Sequence, residues 1–420
     1  MQPLWHIDSN DAGSIVGWAL DKDNPHVPLS LELLSGTHVV ARTVADTARL
    51  DLKAAGIGTG AHGFHLAVPF VPKSEPLSLR VAGTDTYLLK AEPRDQTSTR
   101  SRFGGLWIDR ADFADEFACR RRDGRLGAAL AAKIEAFARD GYLVIPGAVS
   151  HRKVDALNAE IEKFWDDPPF GLLIETWEPD RKLKLIAADK QYRDGTTKLL
   201  DLYAFSARAR DAIAAPAVVE FLSAIFDDKP KAFQGLYFHK GSEQDIHKDT
   251  AYVKVDSGPM NLAATWLALE DVKAGTGELV YYLGSHRAPE YLFSGYSKWA
   301  ETNSSEVGTF LDSLDADAAR YGQRQEAFLA RKGDVLIWHA DLAHGGAPIQ
   351  HPGATRMSLV THFTTAADEP YYRRASHHEQ LERRDCNFVS SHAPIQLQRY
   401  SRFSLYDWYR RWRHPERRVP

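Results

Sequence analysis

The sequence predicts a mainly β protein with helices, in which a double-sheet jelly roll follows a small β-sandwich. Three observations predict it. From Met1 to about Lys90, short alternating runs (SIVGWAL, LSLELL, HVVARTV, FHLAVPF, LSLRVAG) are separated by Asp, Asn, Gly and Pro turns, the pattern of short strands in a sandwich. From Gly235 onward a second series (GLYFHK, DIHKDTAYVKV, NLAATWLALE, GELVYYLG, DVLIWHA, HGGAPI, RMSLVTHFT) reads as strands joined by glycine-rich or charged turns, and many short strands around a polar interior suit a jelly roll. Between the two series, the run from Leu126 to Asp167 changes to three- and four-residue apolar spacing interrupted by DGYLVIPG, which reads as helix, short strand, helix.

Taken in order, residues 1–90 form the accessory sandwich. Trp18 and Phe64 within it could stack on a sugar or pack in its core. Residues 91–125 form a linker and connecting segment: AEPRDQTSTRSR is polar and without apolar periodicity, as exposed linkers are, and Phe103 to Asp123 has no clear assignment. The principal domain spans 126–390. Ser150 is a plausible N-cap for its second helix. PAVVEFLSAIF reads as an amphipathic helix leading into the strand AFQGLYFHK. A long polar, partly helical insertion between Ser285 and Arg331 either covers the site or packs outside the barrel. Residues 391–420 form a basic, aromatic tail.

Charged residues make up 26% of the 420 and the net charge is −4, so the overall field gives no reason to expect nucleic acid or an anionic membrane as partner. Cys119 and Cys386 match neither a disulfide framework nor a zinc pattern, which suits a reducing compartment. There is no leader-like start and no apolar stretch of about 18 residues. A soluble, cytoplasmic protein is expected; oligomeric state is left open.

The chemistry centres on His247-Lys248-Asp249. If DIHKDTAYVKV is a strand, residues i and i+2 share a face, and His247 and Asp249 offer an imidazole nitrogen and a carboxylate oxygen to one point. Two histidines and one carboxylate hold non-haem Fe(II), so a second histidine is needed. His344, 97 residues on, is the candidate, with His339 its rival. Arg356 follows twelve residues after His344, and its planar fork suits a carboxylate. Tyr252 and Trp338 are possible pocket walls or core residues. His239, His286, His351 and His362 are expected to be ordinary structural or hydrogen-bonding residues.

The helix, "GY-V-PG"-like strand and second helix, followed by TWLALEDVKAGTGELVYYLGSHR, resemble the phytanoyl-CoA dioxygenase family of Fe(II)/2-oxoglutarate-dependent oxygenases from about Leu126 to Asp368. The resemblance implies a cupin-like catalytic core in which His247, Asp249 and His344 bind the metal. Arg356 would pair with the distal carboxylate of 2-oxoglutarate, and Trp266 would lie near it or serve as a buried barrel tryptophan. Lys198 loosely matches a further 2-oxoglutarate contact, or is simply solvated. It implies O2 as second co-substrate, succinate and CO2 as products, and hydroxylation of a C–H bond, since Asp249 stands where related halogenases have a small residue. His344-Gly345-Gly346 departs from a common His-Gly-Ser, removing a hydroxyl. GWALD, PLSLELL, ARLDL and GAHGFHLAVPF resemble a sandwich module attached to bacterial glycosyltransferases. That association favours a sugar- or glycolipid-linked substrate over other small-molecule or acyl substrates. The rival reading is a non-catalytic glycan-binding protein with a vestigial metal site.

Overall fold

The computed structural model describes residues 1–10, 14–68, 77–91, 101, 103–177, 183–255, 260–300, 305–370 and 380–390; the basic tail 391–420 lies outside them. The chain divides into two units, Met1–Ser98 with Tyr291–Ala300, and Thr99–Glu290 with Glu301–Pro420.

Among its described residues the first unit holds eight strands: β1 (Pro3–Asn10), β2 (Ser14–Asp21), β3 (Leu29–Ser35), β4 (His38–Ala45), β5 (Thr47–Ala48), β6 (Ala61–Ala67), β7 (Leu77–Val81) and β8 (Tyr87–Leu89). They form two four-stranded sheets, ordered β1-β2-β6-β5 and β4-β3-β7-β8. Both contribute to one core through Ile15, Ala19, Leu31, Leu33, Phe64 and Leu79, so the unit is a sandwich. Phe64 is core, while Trp18 is partly exposed.

The second unit is built on β9 (Tyr142–Ile145), β10 (Leu173–Trp177), β11 (Leu183–Ala187), β12 (Lys198–Leu200), β13 (Pro230–Phe238), β14 (Ala263–Ala268), β15 (Leu279–Tyr282), β16 (Gln325–Phe328), β17 (Val335–His339), β18 (His344–Gly346), β19 (Ser358–Thr365), β20 (Leu381–Arg383) and β21 (Cys386–Phe388). The large sheet runs β11-β10-β12-β13-β19-β14-β17-β9, with β21 alongside β13, and a second sheet runs β16-β15-β18. Together they make the jelly roll. The central strands are buried on both faces and therefore read as continuous apolar runs. In β14, Ala263 and Leu267 join the core shared with the helices, while Ala264, Trp266 and Ala268 join the core between the sheets. In β17 the same alternation sends Ile337 outward and Leu336 and Trp338 inward.

Helices cover the outer face for the reason their spacing gives. Helix Ala128–Asp140 buries Ala131, Ile134 and Phe137, one per turn, and ends at Gly141 with φ +84°, a left-handed stop that glycine adopts without steric cost. Helix His151–Asp166 buries Val154, Leu157, Ile161 and Trp165; Ser150 stands at its N-cap, but its side chain makes no capping hydrogen bond. Helix Pro216–Phe226 starts with proline in its first turn, where the missing N–H costs nothing. Part of the connecting segment is structured. A helix spans Phe113–Arg122, Trp107 Nε1 donates to the Ala224 carbonyl at 2.7 Å, and Arg120 makes a fork of two 2.9 Å bonds to Asp227.

Phe137 is fully buried and meets Phe221 edge-on at 5.2 Å between ring centres. Phe137→Ala is expected to destabilise the second unit by about 3–5 kcal/mol, the usual cost of an aromatic-sized cavity, read as a lowered chemical-unfolding midpoint.

Candidate metal centre

The site forms where the two sheets of the jelly roll meet. His247 is not in a continuous strand, as the sequence suggested. It makes an isolated antiparallel bridge with His344, each backbone N–H donating to the other's carbonyl at 2.8 and 2.9 Å. Asp249 instead opens a short 3₁₀ turn, Asp249–Ala251, because its carbonyl accepts from Tyr252 and Val253 N–H. The 97-residue separation is closed by that one bridge, and three side chains converge: ligand atoms of His247, Asp249 and His344 lie within 4.8 Å of one another. All three residues are buried.

Each group is oriented by a neighbour. His247 Nδ1–H donates to the Asp245 carbonyl at 2.8 Å, and His344 Nδ1–H to the Leu342 carbonyl at 2.9 Å. These bonds leave both Nε2 atoms as lone-pair donors, the arrangement metal-ligating histidines use. The lone pair of His247 faces the Gln244 amide at 3.2 Å in this structure. Asp249 Oδ2 accepts from Trp338 Nε1 at 2.7 Å, so Trp338 is more than a wall. Asp249 Oδ1 faces His247, His344 and His362 Nε2 at 3.8, 3.7 and 3.4 Å.

Electrostatics keep His247 and Asp249 in ligating form. Burial, with His344 beside it, pushes His247 down to about 3, so its imidazole is neutral at pH 7. Burial alone would raise the Asp249 carboxyl, but His362, His344 and His247 together hold it well below the usual carboxylate range. A set of two imidazole nitrogens and one carboxylate oxygen fits a divalent iron.

The same three residues line a cavity of about 550 Å³, together with Lys198, Trp266 and Arg356. Arg356 is buried. Its Nε donates to the Gly277 carbonyl at 2.9 Å, another nitrogen reaches Ser358 Oγ, and its guanidinium carbon lies 5.5 Å and 5.4 Å from the ring centres of Phe238 and Trp266. No described carboxylate is in ion-pair contact with it, and burial lowers it to about 10, still a cation at pH 7. Lys198 is at the wall, but its Nζ is bound to Glu175 Oε1 at 2.6 Å, the residue directly opposite it across β10 and β12. Gly346 leaves no room for a side chain: a Cβ there would lie 2.7 Å from Ser242 Oγ. Ser242 also lines the cavity, so a hydroxyl stands beside the position where the sequence lacks one. From the insertion, helix Val307–Arg320 brings Leu311 to the wall.

The rival histidines lie elsewhere. His339 Nε2 is 3.0 Å from Asp109 Oδ2; His286 Nε2 donates to the Ala138 carbonyl; His239 Nδ1 meets the Tyr237 hydroxyl; and His351 is exposed. His362 departs from expectation. It is buried in the cavity wall, and neither ring nitrogen makes a well-aligned hydrogen bond. Tyr252 lines the mouth and is 38% exposed.

A family model described as Phytanoyl-CoA dioxygenase (PhyH) matches residues 137–358, more than half of the 420. The chain belongs to the phytanoyl-CoA dioxygenase family. The convergent set of His247, Asp249 and His344 is compatible with an iron site. Solved structures with a similar fold include the non-haem α-ketoglutarate-dependent epimerase SnoN from nogalamycin biosynthesis, 17% identical over 57% of this chain and 85% of that one, TM-score 0.43. The carbocyclase SnoK from the same biosynthesis is 16% identical over 59% and 87%, TM-score 0.42. EctD from S. alaskensis, with 2-oxoglutarate and 5-hydroxyectoine, is 21% identical over 58% and 77%, TM-score 0.43. No curated protein matches the chain. No helix among the described residues is long and apolar enough to cross a membrane.

The pKa shifts predict acid lability in metal-free protein. Burial, with His339 nearby, also holds His286 down to about 3. Between the ordinary histidine value near 6.5 and about 3, the unfolded chain takes up protons at His247 and His286 that the folded chain refuses. Stability is therefore expected to fall as pH falls through that window, measured as the unfolding midpoint at successive pH values in the presence of a chelator.

Proposed function

We propose that this family member hydroxylates a C–H bond of a small-molecule substrate, with 2-oxoglutarate converted to succinate and CO2. The observation that carries the reading is the convergence of His247, Asp249 and His344 in the same cavity as Arg356, a buried cation with no ion-pair carboxylate among the described residues. In this reading His247 Nε2, an oxygen of Asp249 and His344 Nε2 would hold Fe(II), which would supply the O2-activating chemistry. Arg356 fixes the distal carboxylate of 2-oxoglutarate, with Trp266 and Phe238 packed on the guanidinium to keep it in place. Lys198 is a further candidate for that carboxylate and would have to exchange its bond to Glu175 to reach it.

Asp249 supports hydroxylation over halogenation, since its carboxylate fills the position a halide would need. The aromatic and polar wall, with Tyr252 at the mouth, suits a sugar- or glycolipid-linked substrate, the class the amino-terminal sandwich points to. The test is turnover: with Fe(II), O2 and 2-oxoglutarate the protein should release succinate, slowly when alone and faster with its substrate. The same preparation carrying His344→Ala should release none. Succinate release equal in the two proteins would reject the reading.

A further inference from the structure

His362 is the cavity residue to which the proposed function gives no role. It is 3% exposed and lines the cavity, yet neither Nδ1 nor Nε2 has a well-aligned hydrogen-bond partner. A buried polar group left so costs about 1–3 kcal/mol, so its retention calls for a reason. Its place in the fold supplies one. β19 sends Ser358, Val360 and His362 to alternate positions along one side of the strand, and Val360 and His362 line the cavity with Arg356, which lies just before the strand. His362 lies opposite Ala264 on one neighbouring strand and Gln234 on the other, and Gln234 lines the same cavity. The ring thereby comes to Asp249, with Nε2 3.4 Å from Oδ1, closer than either histidine that completes the metal set.

We propose that His362 is a positioning residue of the metal centre: together with Trp338 it holds the Asp249 carboxylate in its ligating orientation. Trp338 grips Oδ2 at 2.7 Å. His362, with a proton on Nε2, donates to Oδ1. A carboxylate oxygen has lone pairs for both a metal and an N–H donor, so the two do not exclude each other. A small rotation of either side chain aligns the 3.4 Å contact. Two donors on opposite oxygens restrain rotation of the carboxylate about its Cβ–Cγ bond more tightly than the Trp338 bond alone. Outer partners of this kind orient ligands, and losing one typically weakens metal binding by about 10- to 100-fold.

The inference rests on the metal-centre reading, and the experiment separates the two. Metal dissociation constants are measured anaerobically with Fe(II), and with Co(II) as a spectroscopic probe, for the wild type, Asp249→Ala, His362→Phe and His362→Gln. Far-UV circular dichroism and thermal unfolding of the metal-free proteins check folding. If the wild type binds no better than Asp249→Ala, the parent reading fails. If it does bind, His362→Phe should weaken binding by about 10- to 100-fold, and His362→Gln, which restores an N–H donor, should recover most of the loss. The Co(II) ligand-field bands should shift in His362→Phe, which a role in packing alone would not produce. Folded His362→Phe that binds metal within twofold of wild type overturns the inference, as does His362→Gln failing to recover while folded. Normal metal binding with weakened 2-oxoglutarate binding also overturns it, by assigning His362 to the co-substrate.

Discussion

Asp249→Ala is expected to abolish iron-dependent turnover and to weaken Fe(II) binding by well over ~100-fold, more than the 10- to 100-fold typical for losing only an outer partner of a ligand. The carboxylate is the sole anion of the set, and three histidine rings face its Oδ1 within 3.8 Å. Without it, the iron keeps two neutral nitrogens and no charge to offset its own. The substitution also strips Trp338 Nε1 of its acceptor, a loss of about 1–3 kcal/mol for a buried donor. Asp249→Asn separates the two effects: its side-chain oxygen still accepts from Trp338, so the metal-free fold should be nearly unchanged, while iron binding and succinate release remain lost. Anaerobic equilibrium dialysis with Fe(II), beside thermal unfolding, reads both. Retained iron binding in Asp249→Ala would contradict the assignment.

Arg356→Met is expected to weaken 2-oxoglutarate binding by roughly 100-fold while leaving iron binding intact. The methionine side chain preserves much of the packing against Phe238 and Trp266, so the variant chiefly removes the charge and the fork. Hydrogen bonds to a charged group are worth about 1.5–3 kcal/mol each. Losing about 3 kcal/mol corresponds to roughly two decades in affinity, at 1.4 kcal/mol per decade. The guanidinium already spends two of its nitrogens on Gly277 and Ser358, which fixes its direction and leaves donors for an incoming carboxylate. Arg356→Lys should recover only part of the affinity, since an ammonium cannot present the planar fork. The check is the 2-oxoglutarate dissociation constant of the iron-loaded protein. An unchanged constant in Arg356→Met would remove Arg356 from the co-substrate's site.

Much of this architecture was legible because spacing encodes it. The alternation of SIVGWAL and LSLELL reports strands with one buried face, and the spacing of Val154, Leu157, Ile161 and Trp165 reports a helix with one buried stripe. His247, Asp249, His344 and Arg356 stand out because their residue types match one chemistry and their order along the chain suits opposed strands. The backbone beneath them is not encoded in that pattern. The spacing of His247 and Asp249 suggests one strand, whereas a single bridge and a 3₁₀ turn present them, and a two-residue spacing does not distinguish those routes.

What sequence could not reach are the contacts made by register. Glu175 meets Lys198, and His362 meets Asp249, only because β10 aligns with β12 and β19 lies between β13 and β14. In strands buried on both faces, such as AATWLA and VLIWH, apolar residues fill both sides, so no alternation reveals that Trp266 and Trp338 turn toward the cavity while Leu267 and Ile337 turn away. In sequence Gly346 is a missing hydroxyl; its close approach to Ser242 exists only in the fold.

The central claim, one iron held by His247, Asp249 and His344 beside a 2-oxoglutarate site at Arg356, is tested most directly by anaerobic titration of the protein with Fe(II) and 2-oxoglutarate. A weak visible charge-transfer band is expected that saturates at one iron per chain in the wild type, is absent in His344→Ala, and in Arg356→Met appears only at much higher 2-oxoglutarate. No band in the wild type, or an undiminished band in His344→Ala, would contradict it.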